Sequence, residues 1–180
     1  MDTSPDNQLM LQVKAGDLDK LGVLFERYKM PLYRYFYLRT WDNAASEDLV
    51  QNVFMRIIRY RERFQSVGNF KSWMFSIAHN LGIDHQRKRA RRREIDDTRD
   101  YERIESRTAE EDILDGERLA LLEKALRRLR SDYREVLVLS RYRELKYHEI
   151  GEILGCSVGA VKTRIHRALK ELKQLYSELE

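Results

Sequence analysis

Three groups of residues carry side chains whose type and spacing suggest chemistry. Near the end of the 180-residue chain, Lys162, Thr163, Arg164, His166 and Arg167 fall in one short stretch. Cations there suit phosphate oxygens, and hydroxyl and imidazole donors suit base edges in a major groove. In the middle of the chain, Asn80 and Asp84 stand four residues apart and so share one helix face. A side-chain amide and a carboxylate on one face suit hydrogen bonding to unpaired bases. Just beyond them, Arg87 to Arg93 contains six cations, among them Arg87, Lys88 and Arg91, a density fit to hold a phosphate backbone. The third group, Asp48, Gln51, Asn52, Met55 and Arg56, forms an outward face beside an apolar stripe. Taken alone it reads as ordinary solvated surface.

Bond-making chemistry is not expected. There is no glycine-rich phosphate loop and no Gly-x-Ser-x-Gly turn. The four histidines are scattered, and His148, Cys156 and His166 lie eight and ten residues apart, off zinc-ligand spacing, so neither a metal nor a cofactor is expected. The expectation is a non-enzyme. One cysteine cannot form an internal disulfide, the first residues show no secretory signal pattern, and no apolar run is long enough to span a bilayer. These features predict a cytoplasmic protein with no membrane insertion.

The elements that must position these groups are helical. Two prolines and eight glycines in 180 residues, with abundant Leu, Arg, Glu, Lys and Ala, favour helix nearly everywhere. Ser4-Pro5-Asp6 reads as a helix start, Gly16 as its end and Asp17 as the cap of the next helix. Leu21, Leu24, Phe25, Tyr28, Leu32 and Phe36 keep helical spacing, with Pro31 predicting a bent helix or two short ones. Asn43 or Ser46 is expected to cap a third helix bearing Leu49, Val50, Val53, Phe54, Ile57 and Ile58. After a loop over 66–69, Phe70, Trp73, Met74, Ile77, Ala78 and Leu81 restore the period, which places Trp73 with the core, and the helix runs into the arginine cluster. From Glu94 to Asp115 ten acids face three arginines and the period vanishes, as in a solvated linker. Leu119, Leu122, Leu126 and Leu129 begin another helical region, with a cap signal at Ser131-Asp132.

Tyr147 to Leu154, then Gly155-Cys156-Ser157, then Val158 onward reads as a helix-turn-helix. Gly155 supplies a left-handed helix end, Ser157 caps the second helix, and Gly151 is small where the helices approach. Ile150, Leu154, Val161 and Ile165 are expected to close its core, leaving Lys162, Thr163, His166, Arg167 and Lys170 outward and Arg164 either on backbone phosphate or against the core. The fold class is therefore all-α: two small helical domains, 1–93 and 116–180, joined by an acidic linker over 94–115, the second domain with a helix-turn-helix. The last domain alone would also fit a response regulator, but the strand pattern of a receiver is missing from the first ninety or so residues.

Over its length the chain resembles the extracytoplasmic-function (ECF) bacterial RNA polymerase sigma factors. Ser46-Glu47-Asp48-Leu49-Val50-Gln51-Asn52-Val53-Phe54 is similar to the family's polymerase-clamp helix. Phe70 to Asn80 with Asp84 and Arg87 resembles its minus-10 segment, and the helix-turn-helix resembles its minus-35 domain. The resemblance implies partners: core RNA polymerase through the beta-prime clamp, promoter DNA and an anti-sigma factor. By residue it implies clamp contacts from Asp48, Gln51, Asn52 and Met55, and minus-10 contacts from Asn80, Asp84, Arg87, Lys88 and Arg91. Minus-35 contacts would come from Lys162, Thr163, Arg164, His166 and Arg167. Asn52 stands where the family usually has an acid, and His79 where arginine is common.

Overall fold

The computed structural model describes residues 5–65, 68–95, 113–141 and 145–179. Eight α-helices account for nearly all of them, and no strand occurs among the described residues. They are α1 (Pro5–Lys14), α2 (Asp19–Thr40), α3 (Asn43–Tyr60), α4 (Phe70–Ile95), α5 (Ile113–Arg128), α6 (Ser131–Arg141), α7 (Tyr147–Leu154) and α8 (Val158–Ser177), with a 3-10 turn at Arg61–Arg63. They group into two compact units, one holding α1 to α4 and the other α5, α6 and α8. The acidic run expected as a linker lies mostly outside the described residues.

In the first unit α2 packs on α1 and α3, and α3 packs on α4. Leu24, Leu32, Tyr35 and Phe36 of α2, Val53 and Ile57 of α3, and Phe70, Met74, Phe75 and Ala78 of α4 are fully buried. Edge-to-face ring pairs join the helices, Phe25 with Phe54 at 5.0 Å and Tyr35 with Phe75 at 5.5 Å. Pro31 does not split α2, which runs unbroken through it. Its missing N–H and its ring clash cost about 3 kcal/mol in a helix interior. Burial of four large side chains, each worth roughly 1.5–3 kcal/mol, outweighs that cost.

Two caps differ from expectation. Asp17 does not cap α2; Leu18 holds that position with no side-chain cap bond, and Asp17 lies 3.9 Å from Lys20 instead. The cap of α3 is Asp42, whose carboxylate accepts from the Ala45 amide at 2.9 Å. Asn43 accepts from the Tyr33 hydroxyl, and buried Ser46 donates to the Asp42 carbonyl and pairs with the Thr40 hydroxyl. These bonds tie the end of α2 to the start of α3. Gly16 ends α1 at φ 106°, as its position suggested.

In the second unit α8 packs on α5 and α6. Ala125, Leu129, Val136, Leu139, Val161 and Ala168 form its core. Buried Arg134 donates to the Leu126 carbonyl at 2.7 Å and the Leu129 carbonyl at 3.2 Å, so its guanidinium satisfies orphan carbonyls at the end of α5. Glu149 accepts from the Lys146 amide at 2.6 Å, a capping bond at the start of α7.

Candidate nucleic-acid interface

One face of α4 meets the end of α3 around a shallow cavity of about 230 Å³, lined by Arg56, Tyr60, Arg63, Trp73, Ser76, Ile77 and Asn80. Asn80 is exposed, one turn from Ser76, with Trp73 a further turn toward the start of the helix. Trp73 is only partly covered: its ring rests against Phe64 at 5.4 Å and Phe70 at 6.4 Å while lining the cavity. Core packing and cavity lining therefore meet in one residue. The volume falls below the roughly 300–1,000 Å³ of small-molecule sites. An amide, aromatic rings and two guanidinium groups around so small a space suit one flat heterocycle attached to a polyanion.

Asp84 is not at the cavity wall. Its carboxylate takes the Arg56 guanidinium at 3.2 Å, a partly exposed pair that leans Arg56 across from α3 to α4. Arg63 lies over the Tyr60 ring at 4.9 Å. Past the cavity, Arg87, Lys88 and Arg91 are exposed along α4. Arg89, also exposed, donates to the Thr40 carbonyl at the end of α2 at 3.2 Å. Beside it, burial and the charges of Arg89, Arg92 and Lys88 hold the His85 pKa below the usual imidazole value, against the opposing pull of Asp42. Arg87 to Arg92 is thus an exposed basic run in which one arginine also fastens α4 to α2.

On the outer face of α3, Asp48, Gln51, Asn52 and Met55 are exposed, Met55 at 65%. The Asn52 amide donates to the Asp48 carbonyl one turn back at 2.8 Å. Arg56, expected on this face, turns instead toward the cavity.

The helix-turn-helix has the local chemistry its sequence suggests. Gly155 has φ 63°, and the Ser157 hydroxyl accepts from the Ala160 amide at 3.2 Å. The Cys156 amide donates to the Gly151 carbonyl at 2.8 Å, the bond of a left-handed helix end. A Cβ on Gly151 would lie 2.6 Å from the Cys156 carbonyl oxygen, so the turn requires glycine there. Ile150 and Val161 are fully buried, whereas Leu154 and Ile165 are half-buried and Ala168 takes a core place that the apolar pattern missed. Lys162, Thr163, His166, Arg167 and Lys170 are exposed on α8. Arg164 folds back, its guanidinium 3.7 Å from the Cys156 sulfur. Among the described residues no cluster of three His, Cys, Asp or Glu gathers, and no helix is long and apolar enough to cross a membrane.

Tyr60, Arg63 and Ser76 were not foreseen as cavity residues. Their spacing carried a signal, since Arg56, Tyr60 and Arg63 repeat on one side of α3 and the following turn, and Ser76 precedes Asn80 by four.

A helix-turn-helix with an exposed cationic recognition face, together with a separate unit that has its own basic helix, defines a helical DNA-binding protein. Residues 24–92 match the family Sigma-70 region 2 and residues 119–172 match Sigma-70, region 4. The chain is 32% identical over 93% of its length to the ECF RNA polymerase sigma factor SigW of Bacillus subtilis, covering 95% of that protein. It is also 32% identical over 93% of its length to the ECF RNA polymerase sigma factor BldN of Streptomyces coelicolor, of which it spans 64%. Among solved structures it is similar to the sigma factor RpoE of Bartonella quintana in complex with the anti-sigma factor NepR. That likeness has a TM-score of 0.72 at 28% identity, over 84% of this chain and 95% of that one. The fold also matches CnrH in complex with the cytosolic domain of CnrY, with a TM-score of 0.72 at 24% identity, over 96% of this chain and 97% of that one. The chain belongs to the ECF RNA polymerase sigma factors, which direct RNA polymerase to promoters.

Proposed function

We propose that this chain binds core RNA polymerase and selects promoters by reading minus-35 DNA as duplex and a minus-10 base as single strand. The observation that carries the reading is the cavity between α3 and α4, with Asn80 and Trp73 on its wall and the exposed cations Arg87, Lys88 and Arg91 continuing along the same helix. An unpaired base entering it meets the Asn80 amide and the Trp73 ring, while the cations take the flanking phosphates. Asp84 holds Arg56 beside the cavity, and its partly exposed carboxylate faces the incoming strand's minus-10 segment.

The exposed face of α8, with Lys162, Thr163, His166 and Arg167, enters the major groove, and Arg164 stiffens the turn behind it. Asp48, Gln51, Asn52 and Met55 of α3 dock on the beta-prime clamp, the exposed Met55 supplying an apolar anchor among polar neighbours. Residues 1–93 then carry polymerase and minus-10 binding, 116–180 minus-35 binding, and the acidic stretch 94–115 links them. The protein works in the cytoplasm, breaks no covalent bond, and spends binding energy on unpaired bases to favour the open duplex. The complex of RpoE with NepR supports an anti-sigma partner for this chain as well.

The test uses holoenzyme assembled from this chain and core polymerase to select from DNA with a duplex minus-35 region and a randomised single-stranded minus-10 region. At least one unpaired position should be strongly selected, and Asn80→Ala should flatten that position alone. A selection profile identical for wild type and Asn80→Ala would refute the assignment.

A further inference from the structure

The loop entering α4 is held from both sides by α1, and the two contacts are of unlike chemistry. On the exit side the Asn7 amide nitrogen donates to the Gly68 carbonyl at 2.7 Å, while the Asn7 amide oxygen accepts from the Phe70 N–H at 2.7 Å. On the entry side the Lys14 ammonium donates to the Phe64 carbonyl at 2.8 Å. Asn7 is 8% exposed. Phe70 is the first residue of α4, so its N–H is one of the orphan donors of a helix start. The neighbouring cap comes from within the loop, Asn69 accepting from Lys71 at 2.9 Å. Phe70 therefore takes its cap from a residue 63 positions away.

The side-chain amide of Asn7 donates to one of these backbone atoms and accepts from the other. A carboxylate keeps the acceptor and loses the donor. Alanine loses both: the buried Phe70 N–H is left without its partner, worth about 1–3 kcal/mol when stranded, while the carbonyl of exposed Gly68 is left to water. The first turn of α1 is itself fixed, because Asp6 accepts from the Arg27 guanidinium and the Tyr28 hydroxyl of α2. Burial and the bond to Asp6 both raise the Tyr28 pKa, so the phenol stays protonated and keeps donating. Tyr28 in turn meets the Phe70 ring at 5.7 Å, and Phe70 lies against Phe64 and against Trp73, the aromatic wall of the cavity.

We infer that Asn7 is a positioning residue for base reading: its buried amide, bridging Gly68 and Phe70, sets where α4 begins and so where Trp73 stands at the cavity. The inference rests on the assignment of that cavity to an unpaired minus-10 base. Asn7 touches no DNA. It acts through the backbone at the start of α4, and α1 becomes part of promoter selection although it carries none of the reading side chains.

The experiment repeats the selection with randomised single-stranded minus-10 DNA, now with holoenzymes carrying Asn7→Asp, Asn7→Ala and Val13→Ala, alongside Asn80→Ala. Core affinity and melting temperature are measured for each. Asn7→Asp keeps an acceptor toward Phe70, where negative charge at a helix start is favourable, and sets an acceptor against the Gly68 carbonyl. It should reduce the preference at the selected position about fivefold, the scale of one lost hydrogen bond, with core affinity unchanged. Val13→Ala hollows the buried face of α1 without touching the loop bonds, and should lower the melting temperature while leaving the preference intact. If Asn7→Ala does not fold, Asn7→Asp still decides. Preference lost in Asn80→Ala but intact in folded Asn7→Asp, or lost equally in Val13→Ala, would overturn the role of Asn7 alone. A wild type with no selected unpaired position would overturn the cavity assignment and this inference with it.

Discussion

Replacing Gly151 by alanine should damage the helix-turn-helix. In an ordinary helix interior Gly→Ala gains about 1 kcal/mol, because alanine loses less backbone freedom on folding. At Gly151 the new Cβ would sit 2.6 Å from the Cys156 carbonyl oxygen, against an ordinary contact of 3.4–4 Å. That oxygen belongs to the backbone of the turn and cannot swing away as a side-chain tip would. The Cys156 amide is already committed to the Gly151 carbonyl at 2.8 Å, so opening the gap strains the bond that ends α7. Overpacking of this kind costs about 1–3 kcal/mol. Set against the propensity gain, the variant should lose up to about 2 kcal/mol, or up to roughly 8–16 °C in the melting of a unit this small. The shift should appear in thermal unfolding followed by circular dichroism, with weakened minus-35 duplex binding. Gly22 is the control: it lies within α2, nothing lies within 4 Å of an added Cβ, and Gly22→Ala should raise stability by a few tenths to 1 kcal/mol. A Gly151→Ala protein that melts at or above the wild-type temperature would refute the steric reasoning.

Other substitutions probe the remaining surfaces. Lys162→Ala and Arg167→Ala should each lower the slope of log affinity against log salt for a minus-35 duplex by about one, measured by fluorescence anisotropy; unchanged slopes would remove both from the phosphate contacts. Asp48→Ala with Gln51→Ala should weaken association with core polymerase about tenfold in a titrated pull-down. Because both side chains are exposed, its melting temperature should stay at the wild-type value. His85, whose folded pKa is depressed, contributes stability that is present above its unfolded pKa of about 6.5 and is lost as pH falls below it. Urea midpoints should therefore drop between pH 7 and 5.5 in the wild type and drop less in His85→Gln.

The parts of this protein legible in its sequence are those whose physics is local. Gly151, Gly155 and Ser157 lie within seven residues, and the turn they make is built from local backbone and the Ser157 hydroxyl. The stripe of α3 was equally plain, because Leu49, Val50, Val53, Phe54 and Ile57 repeat with the helix and all are buried. Competition between neighbours hid the cap of α3: Asp42, Asn43 and Ser46 all have capping side chains, and Tyr33 and Thr40 of α2 engage two of them. Pro31 carries a strong local signal for a break, and tertiary burial along α2 overrides it. The cavity is least legible, since periodicity shows which face of a helix is polar but not which two faces meet. Asn80 stood out from its own helix, whereas Tyr60 and Arg63 gain meaning only when α3 lies beside α4. The bond from Asn7 to Phe70 spans 63 residues and leaves no mark in any local pattern.

The most direct test of promoter selection is run-off transcription from a genomic DNA library with sigma-free core polymerase and this purified protein. Discrete new start sites, each preceded by the same two spaced elements, are the predicted result. Folded protein and competent core polymerase that together yield no new start sites would contradict it.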